Sequence, residues 1–363
     1  MTVVPVKQIS SKATLAKDVY TPLGGLLFTK GTVIEEKERQ FLEAFLIREV
    51  EIEESVETGP SDKLNGTKGK RKAAARESGQ SAAKQKDLET LYQRTVKSFR
   101  KVLKNIESGS PIPLLEIRET ITPLLEKGKD HPEITFKPQK TRAKEDYLYE
   151  HPVAVGLLSF VLASWLGIPE KERMQVALAG TLLDVGKTRI DQRILWKPDK
   201  LTAEEFAEMK RHTIYGYQLL REVPGLNEGV ALAALQHHER EDGSGYPLGL
   251  PGHKLHRYSK IVAVADVFHA MCSDRIHQQA ASPYLVVEQL LRDSFGKFDP
   301  KIVYTFVNGI IRLSIGTVVE LSDGRIGKIV FTDQNNPTRP LIETNCGMVN
   351  LLNEKNLYIK QIL

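Results

Sequence analysis

Cysteine is almost absent: Cys272 and Cys346 are the two in 363 residues, and they lie far apart. A disulfide framework is therefore not what holds this chain together, and a reducing, cytoplasmic setting is expected. A leader is not expected either. The opening MTVVPVKQ has no basic stretch followed by an apolar core, so secretion is not expected. Long hydrophobic runs are missing. The longest uncharged run, HPVAVGLLSFVLASWLGIP (151–169), begins with a histidine, carries two serines and falls short of the ~20 apolar residues of a membrane span. It reads as a buried helix, and no membrane span is expected. Charge shows little bias. The formal net charge of +5 is mild and part of it sits in a linker, so a nucleic-acid partner is not expected. There is no internal repeat.

What is present is ordinary globular material, 41% hydrophobic and 27% charged, long enough for two or three domains of about 150 residues each. Residues 1–55 read as a small α/β module: short apolar runs broken by Gly24-Gly25 and Lys30-Gly31, then a helix EEKERQFLEAFLI with Phe41, Leu42, Phe45 and Leu46 on one face. Residues 56–86 are polar and rich in Lys, Gly, Ala and Ser. They bury too little apolar surface to offset ordering entropy and read as a disordered basic linker. Residues 87–139 carry amphipathic helical periodicity and read as a helical connector. Residues 140–312 are helical throughout, including LTAEEFAEMKRHTIYGYQLLREV with a capping box from Thr202 to Glu205. Residues 313–363 switch to about five short strands with tight turns, a small β-barrel or sandwich.

Within 140–312, donor residues recur where helix packing alone does not call for them. His151 opens an apolar helix, and Asp184 ends another behind Leu182 and Leu183. His212 lies mid-helix, and His237-His238 end a third helix. Asp266 sits inside IVAVADVFHA. An isolated ionised aspartate in apolar surroundings is costly, so Asp184 and Asp266 should be paired or bind metal. A single histidine on a helix is usually a satisfied polar group, but imidazoles and carboxylates on several helices can converge in a bundle core. Mixed nitrogen and oxygen donors suit Fe, Mn, Zn or Ni better than Ca or Mg. After His237-His238, which point about 100° apart on a helix, Gly243 and Gly245 let the backbone turn back close to an ion, and Tyr246-Pro247 stiffens the exit. The bland alternative, a helix end with a surface turn, accounts for Asp242-Gly243 but not for the tandem histidines.

These residues resemble the HD-GYP domain, a branch of the HD phosphohydrolase superfamily. HHEREDGSGYPLGLPG matches the family's HHExxDGxGYP signature, and EHPVAVGLLSFVLA, MKRHTIYGYQLL, VAVADVFHAM with SDR after it, and FGKFDP support it over roughly residues 140–310. The resemblance implies a mainly α fold: a helical HD-GYP bundle, flanked here by the N-terminal α/β and C-terminal β-barrel-like modules. It implies hydrolysis of cyclic di-GMP to pGpG or GMP at a centre of two or three metal ions. The implied metal ligands are His151, Asp184 (bridging), His212, His237, His238 and Asp266. Lys187 and Asp184 are the implied catalytic residues. Arg275, Gly243, Gly245 and Tyr246 would contact substrate, and Glu239 would orient a ligand histidine or else be a solvated helix-end charge.

The sequence also departs from the family pattern. Leu183 stands where the histidine of the His-Asp pair belongs. Tyr147 replaces the glutamate of trinuclear members, Gln278 replaces a basic residue, and Lys260 stands where arginine is common. One tight site (Asp184, His212, His237, His238) and one weak site (His151, Asp184, Asp266) for a divalent ion, Fe or Mn, are therefore expected. His269, three residues after Asp266, is a candidate replacement ligand. The expected activity is a phosphodiesterase weakened by the lost ligand. The alternatives are an inactive domain that binds cyclic di-GMP or a signalling protein partner, and another HD-type phosphohydrolase acting on nucleotides. A homodimer is compatible with this reading.

Overall fold

A computed structural model describes residues 2–9, 13–21, 26–53, 70–130, 146–274, 280–333 and 336–363. Of the stretch 56–86 read as a linker, residues 56–69 lie outside the described residues, and a helix begins at Lys70. The described chain is mainly helical and divides into two compact units: Ser78–Leu313, and the two ends together, Met1–Glu77 with Ser314–Leu363.

In the unit made by the ends, strands β1 (Thr2–Pro5), β2 (Ala13–Thr14), β3 (Val19–Tyr20), β4 (Leu26–Phe28) and β5 (Val33–Ile34) precede helix α1 (Glu36–Ala44) and strand β6 (Glu49–Ile52). They pair antiparallel as β1 with β6, β2 with β5 and β3 with β4. Glu35 and Glu38 form a capping box that starts α1, and Leu42 buries its apolar face with Phe45. Leu46, expected on that face, is 68% exposed. The helix has ended, and Leu46 sits in a left-handed turn at φ 58°.

The C-terminal strands β7 (Val318–Leu321), β8 (Ile326–Phe331), β9 (Leu341–Thr344), β10 (Gly347–Asn350) and β11 (Ile359–Ile362) form one antiparallel sheet in the order β10-β9-β8-β7-β11. Among the described residues this sheet has two edges, β10 and β11, and does not close as the barrel expected from the sequence. The ends meet chemically. The Asn350 and Asn353 amides both donate to the Ala44 carbonyl at 2.9 Å, satisfying a carbonyl that the end of α1 leaves without an intrahelical partner. Phe45 packs edge-on against Phe331 with ring centroids 5.2 Å apart. Thr21 donates a buried hydrogen bond to Asp333.

The other unit is helical: α2 (Lys70–Glu107, of which Ser78 onward belongs here), α3 (Leu114–Asp130), α4 (Tyr147–Trp165), α5 (Glu170–Leu182), α6 (Gln192–Leu195), α7 (Ala203–Lys210), α8 (His212–Leu220), α9 (Glu228–Gln236), α10 (Arg257–Cys272), α11 (Pro283–Asp293) and α12 (Pro300–Ser314). Helix α4 carries residues 151–165 of the uncharged run. It is long and apolar enough to cross a membrane by composition, yet most of it is packed inside the protein. Its neighbour α5 comes very close because Gly156 and Gly180 face the contact. A Cβ on Gly156 would strike Thr181, and one on Gly180 would sit 2.7 Å from the Val155 carbonyl. The segment expected as one helix over 201–223 is two, α7 and α8, joined at Arg211. The Thr202–Glu205 capping box is present. Where the two helices meet, the His212 ring takes the Met209 carbonyl at 2.7 Å.

Candidate metal centre

Asp184 follows α5 and opens a short 3-10 turn, Val185–Arg189. That turn lies directly on α8 because Gly186 has no side chain; a Cβ there would strike the His212 carbonyl. The close approach sets Asp184 beside His212. His237 and His238 follow the last residue of α9, which packs on α8. Helix α10 packs on α4 and α9, and this brings Asp266 to His151.

Asp184 Oδ1 lies 3.4 Å from His212 Nε2 and 3.9 Å from His237 Nε2. Those two nitrogens are 3.4 Å apart, and ligand atoms of His212, His237 and His238 all lie within 4.8 Å of one another. Donors about 2.1 Å from one ion at tetrahedral angles are spaced ~3.4 Å apart. The ring tautomers follow from the backbone. His212 Nδ1 faces the Met209 carbonyl, and His237 Nδ1 faces the carbonyls of Ala233 and Ala234 at 3.1 and 3.0 Å. A carbonyl only accepts, so both Nδ1 atoms carry the proton and both Nε2 atoms present lone pairs inward. Asp184 Oδ1 is buried and accepts no hydrogen bond. Two imidazole lone pairs and an unpartnered buried carboxylate oxygen, pointed at one another, are unfavourable unless a cation sits among them. These residues therefore fit a divalent metal.

The second oxygen of Asp184 is engaged differently. Lys187 donates to Oδ2 at 2.6 Å, and His151 Nε2 stands 3.9 Å from it. His151 Nε2 is 3.0 Å from Asp266 Oδ1. The opposite edge of the His151 ring, Nδ1, meets the Tyr147 hydroxyl at 3.0 Å and His269 Nδ1 at 2.9 Å. His269 thus lies against His151 on the ring edge away from the carboxylates. Tyr147 stacks on the same ring at 4.9 Å. Leu183 is fully buried within the apolar core.

The protonation states suit metal ligation. Burial pushes the His212 imidazole down to about 4, with Asp184 opposing and Lys187 assisting. Burial also lowers His237 and lowers His238 strongly. Burial alone would raise Asp184, but Lys187 and then His212 outweigh it and hold the carboxyl well below the usual range. For Asp266, burial is likewise overcome, by the His151 hydrogen bond and charge. Neutral imidazoles and ionised carboxylates are the ligating forms.

The signature loop closes on the helix end. Gly243 adopts φ 77°, and a Cβ on Gly245 would sit 2.5 Å from the His238 carbonyl. The glycines therefore fold the loop onto the end of α9 itself, whereas the sequence reading had them making room for an ion. Tyr246 stacks on His238 with centroids 4.6 Å apart, so it walls the site. Glu239 is neither a histidine-orienting group nor a solvated charge. It is buried, and its two oxygens accept the backbone N–H groups of Leu248, Gly249 and Leu250 at 2.7–3.1 Å. A buried glutamate nine to eleven residues before three N–H groups has no local sequence signal, which is why this role was missed. Lys260 pairs with Glu241 at 2.9 Å and Asp299 at 3.9 Å. Arg275 and Gln278 lie outside the described residues.

Residues 135–302 match the HD domain family. A cyclic di-GMP phosphodiesterase of Pseudomonas aeruginosa is 33% identical over 55% of this chain and 48% of its own length. A cyclic di-GMP phosphodiesterase response regulator of Xanthomonas campestris is 41% identical over 42% of this chain and 41% of its own. A 3'3'-cGAMP-specific phosphodiesterase of Vibrio cholerae is 37% identical over 42% of this chain and 30% of its own. The chain thus spans half or less of the length of these relatives. An HDG"Y"P protein structure from Bdellovibrio bacteriovorus aligns at a TM-score of 0.45 and 17% identity, over 86% of this chain and 99% of that one.

Proposed function

We propose that residues 135–302, which match the HD domain family, form a metal-dependent phosphodiesterase of the HD-GYP type, acting in the cytoplasm, that hydrolyses cyclic di-GMP to pGpG or GMP. The observation that carries the proposal is the unpartnered Asp184 Oδ1 facing inward-directed imidazole nitrogens. Relatives named as cyclic di-GMP phosphodiesterases support the substrate.

Asp184, His212, His237 and His238 would hold one divalent ion, Fe or Mn, tightly. His151, Asp184 and Asp266 form the weaker site, because the Lys187 ammonium already occupies Asp184 Oδ2 and Leu183 offers no donor. A bound ion supplies Lewis-acid activation of the phosphodiester and lowers the pKa of attacking water. Lys187, held in place by its bond to Asp184, is positioned to stabilise negative charge growing on phosphorus oxygens. Arg275 is assigned a second phosphate contact. Tyr246 shields His238 from solvent on one face. The engaged Oδ2 also favours the alternative reading, a domain that binds cyclic di-GMP without turnover.

The test is incubation of the full chain with cyclic di-GMP and added manganese or ferrous iron, with products separated by chromatography. Metal-dependent pGpG or GMP that disappears in Asp184→Asn is the expected result. Tight binding with no product at any metal concentration selects the alternative.

A further inference from the structure

Beside the metal centre, an open cleft is lined by residues from Asp184 and Lys187 to Trp196. Its far wall is built from three elements: Glu107 at the end of α2, Tyr149 on α4, and Gln192 and Trp196 on and just after α6. These polar groups are ordered as a chain. The Trp196 indole N–H donates to Gln192 Oε1, and the Gln192 amide donates to Glu107 Oε1. The relay fixes the indole by its edge, and Trp196 lines the cleft. It also holds the Glu107 carboxylate in the lining of the cleft, where Oε1 accepts from Gln192 and keeps a second lone pair for a ligand donor. One face of Tyr149 is already covered by the Arg100 guanidinium at 4.4 Å.

An aromatic face, a carboxylate and an ammonium in one cleft match the three parts of a purine nucleotide: ring, base edge and phosphate. Stacking on an aromatic side chain accepts any base. The carboxylate discriminates. Guanine's N1–H and N2 amino group are adjacent donors that two carboxylate acceptors can take together, whereas adenine presents an N1 lone pair next to a single amino donor. We propose that this cleft is a guanine-binding subsite, with Trp196 stacking the base and Glu107 selecting it. The assignment deepens the proposed function, and rests on it only in placing the phosphate at Lys187 and Asp184. It gives the chain a way to distinguish cyclic dinucleotides by the base lying in this cleft.

The chain contains two tryptophans, so a full-length Trp165→Phe variant reports Trp196 emission alone. Titration with GMP and AMP, without added metal, should show quenching and at least ~10-fold tighter binding of GMP. Glu107→Gln should narrow that preference to within ~2-fold. Trp196→Leu, in the chain retaining Trp165, should weaken GMP binding ~10-fold by equilibrium dialysis. Dialysis of the unmutated chain against both nucleotides gives the same comparison independently of Trp165→Phe. GMP and AMP affinities within twofold of each other, or a preference untouched by Glu107→Gln, would overturn the proposal. Hydrolysis of cyclic di-GMP without guanine preference removes the cleft assignment and leaves the phosphodiesterase reading. Guanine preference without any hydrolysis does the reverse.

Discussion

Asp184 engages its two oxygens differently. One faces imidazole nitrogens and accepts no hydrogen bond; the other holds an ammonium at 2.6 Å. Asp184→Asn should therefore strip metal from the purified protein and lower hydrolysis at least ~100-fold, as read by elemental analysis and product chromatography. Leu183→His tests the missing donor. Occupancy of a second ion and hydrolytic rate should both rise, at some loss of stability, because Leu183 is fully buried in apolar surroundings; unchanged metal content would place Leu183 away from the centre. The buried His212 supplies a pH prediction. Its folded value of about 4 lies below the ~6.5 of the unfolded chain, so the unfolded state binds its proton first as pH falls. Stability contributed by neutral His212 is present above ~6.5 and is lost between there and about 4. Metal-free protein should be ~2 kcal/mol less stable at pH 5 than at pH 7 from this group alone, seen as a lower thermal midpoint.

At the scale of elements, the site depends on how closely backbones approach one another. The turn 185–189 rests on α8 through Gly186. Gly186→Ala should push Asp184 away from His212 and cost at least ~10-fold in metal affinity while circular dichroism stays helical. Glu239 acts on an element too. Its carboxylate gathers three N–H groups of the loop after Tyr246, and removing it as Glu239→Ala leaves those donors short of a partner. A loss of ~2–3 kcal/mol is expected, with faster hydrogen exchange confined to residues 243–252. Much at this scale was legible beforehand. The Thr202 capping box, the helical periods and the strand switch near 315 are all local signals. The break at Arg211 was not: the periodicity of 201–223 runs through it, with no glycine or proline at the break.

For the whole molecule, the two ends of the chain make one unit. The sequence suggested two separate accessory modules. Their union rests on a few contacts, chiefly Phe45 on Phe331 and two asparagine amides on the Ala44 carbonyl. Phe45→Ala should destabilise that unit by ~3 kcal/mol and raise hydrogen exchange in residues 2–53 and 315–363 together. Protection lost from the first segment alone would show that the ends fold independently.

The sequence by itself determined which atoms are available: imidazoles and carboxylates at 151, 184, 212, 237, 238 and 266, glycines where a loop must fold back, and helices to carry them. Only the tertiary structure decided how those atoms pair. It set which oxygen of Asp184 meets Lys187, placed His269 on the outer edge of His151, bound Glu239 to the backbone of its own loop, and brought residue 45 to residue 331. Helix caps, periodicity and turns are fixed by neighbours a few residues away and can be read along the chain. Pairing across tens to hundreds of residues depends on which helices pack and how closely, and that is settled only when the core closes.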